Sequence, residues 1–85
     1  MSYYVYILNS EKTGKYYCGQ TDTVNHRLKR HNKGEVKSTK YVVPWKLIGY
    51  ILCGARGDAM MWEKTVKCIG IERVINENKS KINFL

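Results

Sequence analysis

Among the side chains whose types carry proton transfer and anion chemistry are Tyr6, Tyr17, Arg27, His31 and Glu63. Arg27 and His31 stand at i and i+4, the spacing that brings two side chains together on one helix face. An arginine fork grips phosphate or carboxylate oxygens through paired hydrogen bonds, and an imidazole takes or gives a proton near neutrality. A tyrosine alone is a poor base. With a pKa near 10, about one in a thousand is ionised at pH 7, so making the phenolate costs roughly 4 kcal/mol unless a cation lowers it. Each residue also has an ordinary fate: a strand tyrosine at the core edge, a solvated helix arginine, and a Glu63 carboxylate paired with Lys67 one turn on.

The elements that must position these groups are legible in the hydrophobic pattern. Tyr3 to Leu8 form an unbroken apolar and aromatic run, and Lys15 to Thr21 a second extended run, separated by a polar turn; together they predict a β-hairpin. Lack of polar alternation in the first run predicts a strand covered on both faces, at the centre of its sheet. Tyr6 and Tyr17 then lie on paired strands and can point into one pocket. Thr21 and Asp22 offer caps for a helix over Thr23 to Lys33 that ends at Gly34, with Val24 and Leu28 facing inward and Arg27 and His31 beside them. Glu35 to Val43 read as a basic loop, Pro44 marks the start of a third strand, and Trp45 to Cys53 supply its large apolar residues. After a turn over Gly54 to Gly57, with Asp58 as cap, Ala59, Trp62, Val66 and Ile69 recur at helical spacing as a core stripe. Glu63 borders that stripe and is expected to be partly shielded. Ile71 to Asn78 can form a further short helix, and Ile82, Phe84 and Leu85 of the tail can pack back.

Length and composition bound the reading. Eighty-five residues fit one compact domain, taken here as 1–85, without room for a separate recognition domain. Fifteen basic against seven acidic residues give a net charge of +8, which favours a polyanionic partner, nucleic acid first. Lys29, Arg30, Lys33, Lys37 and Lys40 gather about the end of the first helix and the next loop, where they could track a phosphate backbone without reading sequence. His26 faces another side of that helix and is expected at the surface. No segment is long enough to span a bilayer, and the opening residues lack the basic and small-residue features of a signal peptide, so a cytoplasmic location is expected. Cys18, Cys53 and Cys68 are an odd, irregularly spaced set that predicts reduced, largely buried thiols, not a disulfide or zinc framework.

The order of these pieces resembles the GIY-YIG nuclease superfamily, and specifically its small stand-alone bacterial branch. Tyr4-Val5-Tyr6 stands at the first signature, Tyr17-Cys18-Gly19 at the second, Arg27-Leu28-x-x-His31-Asn32 at the Arg-bearing helix, Pro44-Trp45-Lys46-Leu47 at the third strand, and Ala59-x-x-x-Glu63 at the glutamate helix. Tyr4 replaces a signature glycine, Cys18 an aliphatic residue, and Gln20 a lysine carried by the repair nucleases.

The resemblance implies an α/β (α+β) fold with a three-stranded antiparallel sheet flanked by helices, in the order β-β-α-β-α-α. It implies a metal-dependent DNA endonuclease, used in repair or recombination, with RNA left open as a substrate and a protein partner as a means of targeting; the lack of an appended recognition domain predicts low intrinsic sequence preference. Glu63 would hold Mg²⁺ or Mn²⁺, Arg27 would stabilise charge on the phosphate, and either Tyr6 or His31 would serve as base. Two other classes stay open: a basic nucleic-acid-binding module without catalysis, and a domain whose basic face meets an acidic protein.

Overall fold

The computed structural model describes residues 2–37 and 39–85. Strands β1 (Tyr3–Ser10), β2 (Tyr16–Thr21), β3 (Trp45–Cys53) and β4 (Asn83–Phe84) form one antiparallel sheet in the order β2-β1-β3-β4. Helix α1 (Val24–Asn32) follows the hairpin, and α2 (Arg56–Ile69) and α3 (Ile71–Glu77) follow β3. Short 3-10 turns at Lys40–Val42 and Lys79–Lys81 lead into β3 and β4.

The continuous apolar run of β1 has the expected cause. It lies between two strands with a layer on each face, and Val5, Tyr6, Ile7 and Leu8 are all buried. Because successive strand residues point to opposite faces, β1 feeds two separate cores. Tyr6 and Leu8 join Trp45, Leu47, Val24 and Leu28 under α1. Val5 and Ile7 join Cys18, Ile51, Cys53, Ala59, Val66 and Val74 under α2 and α3.

The sheet has four strands where three were expected. The tail does turn back, burying Ile82, and Asn83 and Phe84 pair with Tyr50 and Gly49. Gly49 permits this, since a Cβ there would stand 2.7 Å from the Asn83 carbonyl oxygen and 3.0 Å from Ile82 Cγ2. Two residues of backbone pairing carry no hydrophobic alternation, so the sequence pattern does not announce the strand. Phe84 and Leu85 stay exposed.

Helix boundaries depart from expectation at their starts. Thr23, not Thr21 or Asp22, precedes α1, and no side chain caps it; the Thr21 hydroxyl instead accepts the Thr23 N–H at 3.1 Å, just outside the helix. Asp58 lies inside the first turn of α2, where a carboxylate favours the positive end of the helix dipole without acting as the cap. Gly34 takes the left-handed conformation after α1, with φ +76°. The stripe of α2 buries Ala59 and Val66 and half-buries Trp62, but Ile69, in the last turn before Gly70, is exposed. Cys18 and Cys53 are buried free thiols, whereas Cys68 is exposed. Among the described residues, no helix is long and apolar enough to cross a membrane.

Candidate active site

The site grows from the register of the β-hairpin. Tyr6 stands opposite Gly19 and Leu8 opposite Tyr17, so Tyr6 and Tyr17 occupy diagonal positions on the same face. The Tyr6 ring lies across β2 over Gly19. A Cβ at that position would fall 2.7 Å from Tyr6 Cζ, so only glycine leaves room for the ring.

Helix α1 closes over this face by seating Val24 and Leu28 against Tyr6, Leu8 and Trp45. Its last turn is tied to the start of β3 by the Asn32 amide, which accepts from Trp45 N at 2.6 Å and donates to Trp45 O at 3.1 Å. The tie carries His31 fully into the interior, deeper than the flanking position its spacing predicts. Its Nε2 lies 3.1 Å from the Tyr6 hydroxyl, and its ring meets Tyr17 edge to face with centroids 5.1 Å apart.

The other ring nitrogen reaches a residue that the sequence reading passed over. Thr39 Oγ1 lies 2.8 Å from His31 Nδ1, with Thr39 itself buried and its carbonyl accepting Trp45 Nε1–H at 3.1 Å. A loop threonine eight residues from its partner has no periodic signal; only the fold of the loop brings it to the imidazole.

Electrostatics at this face disfavour charge. Burial raises the pKa of Tyr6 above its ordinary value; the nearby Arg27 guanidinium opposes the rise, while Tyr17 and Glu63 add to it. The lowering that Arg27 brings to the Tyr6 pKa is therefore outweighed by desolvation. Burial also lowers the pKa of His31, with the positive charges of Arg27 and Arg30 acting in the same direction. At pH 7 the pair is a neutral phenol against a neutral imidazole. Arg27 Nε is buried with no hydrogen-bond partner among the described residues. An unpaired donor of this kind costs on the order of 1–3 kcal/mol, more where the group is charged, until an acceptor arrives.

Glu63 comes from the opposite layer. Its carboxylate sits 3.5 Å from Lys67 Nζ, the ordinary i, i+4 pairing, yet its side chain is only 25% exposed. Its negative charge adds to the raised pKa of both Tyr6 and Cys18. Tyr6, Tyr17 and His31 thus meet on the α1 face with Arg27 beside Tyr6, while Glu63 stands on α2 and is linked to Tyr6 through its charge.

The donor set limits which metals fit. Among the described residues no group of three or more His, Cys, Asp or Glu side chains converges, so a zinc-type ligand cage is not built here. A single partly exposed carboxylate does fit Mg²⁺, which retains several waters and needs one or two carboxylates besides substrate oxygens.

The basic residues divide by location. Lys29, Lys33, Lys37 and Lys40 are exposed. Arg30 is half-buried and lies 3.8 Å from Glu35, and Lys40 Nζ lies 4.9 Å from the Tyr41 ring centre. Lys29, Arg30 and Lys33 line a shallow cleft with His26 and Glu35 on the outer side of α1.

Comparison with known proteins bears on the family and the fold. The sequence pattern of the GIY-YIG catalytic domain matches residues 2–68. The UPF0213 protein BH0048 of Halalkalibacterium halodurans is 38% identical over 68 residues, covering 79% of this chain and 71% of that protein. The UPF0213 protein YsiG of Lactococcus lactis subsp. lactis is 41% identical over 63 residues, covering 72% of this chain and 59% of that protein. The solution NMR structure of BH0048, its source given as Bacillus halodurans, superposes with a TM-score of 0.58 at 32% identity, over 95% of this chain and 86% of the other. With its hairpin, Arg-bearing helix and glutamate helix inside the matched span, this chain belongs to the GIY-YIG family.

Proposed function

We propose that this protein is a metal-dependent DNA endonuclease that hydrolyses phosphodiester bonds with little sequence preference of its own. The observation that carries the reading is the unpaired, buried Arg27 Nε beside a neutral tyrosine–histidine pair: a charged donor lacking an acceptor next to groups that move a proton. A phosphate oxygen is the acceptor that completes Arg27, whose fixed positive charge stabilises the negative charge that develops on the phosphate.

The free phenolate is too costly to accumulate, so Tyr6 works as a relay. As water attacks phosphorus, its proton passes to the Tyr6 oxygen while the Tyr6 hydroxyl proton passes to His31 Nε2, and the bond from phosphorus to the leaving nucleoside oxygen breaks, that oxygen taking its proton from solvent. Tyr6 ends neutral, and His31 carries the positive charge. The Thr39 hydroxyl has the Val36 carbonyl as acceptor at 3.4 Å, so its oxygen receives Nδ1–H and leaves Nε2 free to accept. Tyr17 packs against the imidazole and holds its plane. Glu63 is the candidate ligand for Mg²⁺ or Mn²⁺, exchanging its pairing with Lys67; a bound ion supplies Lewis-acid stabilisation of the phosphoryl and leaving oxygens. Lys29, Arg30, Lys33, Lys37 and Lys40 supply sequence-independent backbone attraction. Repair or recombination is the role we assign to such an activity, in a reducing cytoplasm that suits three free thiols.

The Glu63–Lys67 ion pair favours one other reading, a binding module that keeps the scaffold without turnover. Incubation with supercoiled, branched and single-stranded DNA separates the two. The endonuclease reading requires nicking with Mg²⁺ or Mn²⁺, none with chelator, and loss in a folded Glu63→Ala variant. Salt-sensitive binding without metal-dependent nicking supports the binding module instead.

A further inference from the structure

On the same sheet face as Tyr6, but beside the start of α1, lies an open groove of about 560 Å³. Tyr4, Leu47, Tyr50 and Leu85 form its apolar side, and Asp22, Asn25 and His26 are among its polar lining. Tyr4 and Tyr50 stand edge to face with ring centres 5.4 Å apart. Tyr4 occupies the position that carries glycine in the family's first signature, and its ring forms part of this wall. His26 also lines the neighbouring cleft of Lys29, Arg30 and Lys33, which makes a cationic surface continuous with an aromatic groove.

We propose that the groove receives an unpaired nucleobase of a DNA strand whose phosphates run along Lys29, Arg30 and Lys33. Cationic grooves that follow a backbone, joined to aromatic rings on which bases stack, are the recurring means of holding single strands. The Asp22 carboxylate repels a phosphate inside the groove and accepts from the amino edge of a base, while Asn25 can pair with either kind of edge. The occupant is therefore the base, with its phosphate left outside. This deepens the endonuclease reading by naming its substrate class: DNA with an unpaired nucleotide, as at a flap, bulge or branch.

The test uses the intact chain without divalent ions, so that binding is read apart from cleavage. Fluorescence anisotropy of a labelled single-stranded oligonucleotide is compared with that of the same strand in duplex and with an abasic strand of equal length. Tyr4→Leu and Tyr50→Leu keep apolar bulk but remove the ring, and each is expected to weaken single-strand binding about tenfold while leaving duplex binding unchanged. Tyr4→Phe and Tyr50→Phe keep the ring and are expected to bind normally, which separates lost stacking from lost folding. Equal binding of the abasic strand, or equal losses for single strand and duplex in the Leu variants, overturns the proposal. So does a change of oligomeric state in the Leu variants with strand binding intact, which gives the groove to a second copy of the chain. Ring-dependent binding without metal-dependent nicking would defeat the endonuclease reading alone, and nicking without ring dependence would defeat this inference alone.

Discussion

The two faces of the β-sheet are built from alternate residues of the same strand and serve opposite ends. Toward α2 and α3, Val5 and Ile7 meet Cys18, Ile51, Ala59, Val66 and Val74, a core with scarcely a polar atom to satisfy. Toward α1, Tyr6 and Leu8 meet a buried histidine, a buried threonine and an arginine with an unpaired nitrogen. Burial of apolar surface contributes stability in proportion to area, whereas buried polar groups cost free energy unless every partner is supplied. The α2 face thus stabilises the sheet, and the α1 face gives up part of that stability to hold titratable and polar groups dry and fixed. A chain of this size tolerates such a face because the other one is clean.

The sharpest way to break this contrast is to change neighbouring residues of β1. Tyr6→Phe removes one oxygen from the reactive face. Under the relay reading, cleavage falls about 10²- to 10⁴-fold, while stability changes by only about 1–3 kcal/mol as His31 Nε2 loses its partner. Single-turnover nicking and urea unfolding on the same preparation check both parts. Ile7→Ala should do the reverse: a cavity in the apolar core costs about 2–5 kcal/mol, with cleavage per folded molecule unchanged. Equal effects of the two substitutions on rate would erase the distinction between faces.

Smaller changes sharpen it. Thr39→Val keeps the shape of the buried side chain but leaves His31 Nδ1 without a partner, a loss of about 1–3 kcal/mol. If Thr39 selects the imidazole tautomer, nicking also slows, and Thr39→Ser restores the rate; nitrogen chemical shifts of His31 should show the Nδ1–H form in the parent and a mixture in the valine variant. Unchanged shifts would remove Thr39 from the relay.

The pH dependence has a defined sign. Burial, then Arg27 and Arg30, hold His31 below its ordinary value near 6.5, so the unfolded chain binds the proton more readily than the native one. The stability associated with neutral His31 is full above about pH 6.5 and is lost as pH falls through the lowered native value. The acid limb of the nicking rate should accordingly lie below pH 6.5, and a limb above it would contradict a buried neutral acceptor. Least in effect is thiol labelling: at pH 8 iodoacetamide should modify exposed Cys68 and spare Cys18, whose pKa burial pushes up to about 11, and Cys53, also raised by burial. Intact mass with a single adduct would check this.

Residue pattern by itself determined a good deal. The unbroken apolar run of β1 identified a central strand, the i, i+4 pairing of Val24 with Leu28 and of Arg27 with His31 placed a helix over it, and Glu63 was located at the border of a buried stripe. These are consequences of local periodicity, which side-chain hydrophobicity writes directly into the chain. Only the tertiary structure decided the rest. It drew His31 from the flank into the interior, laid Tyr6 across Gly19, brought Thr39 to the imidazole and paired the tail with Gly49 as a fourth strand. Those contacts join residues far apart or in irregular loops, where packing and the satisfaction of buried polar groups, not periodicity, select the partner.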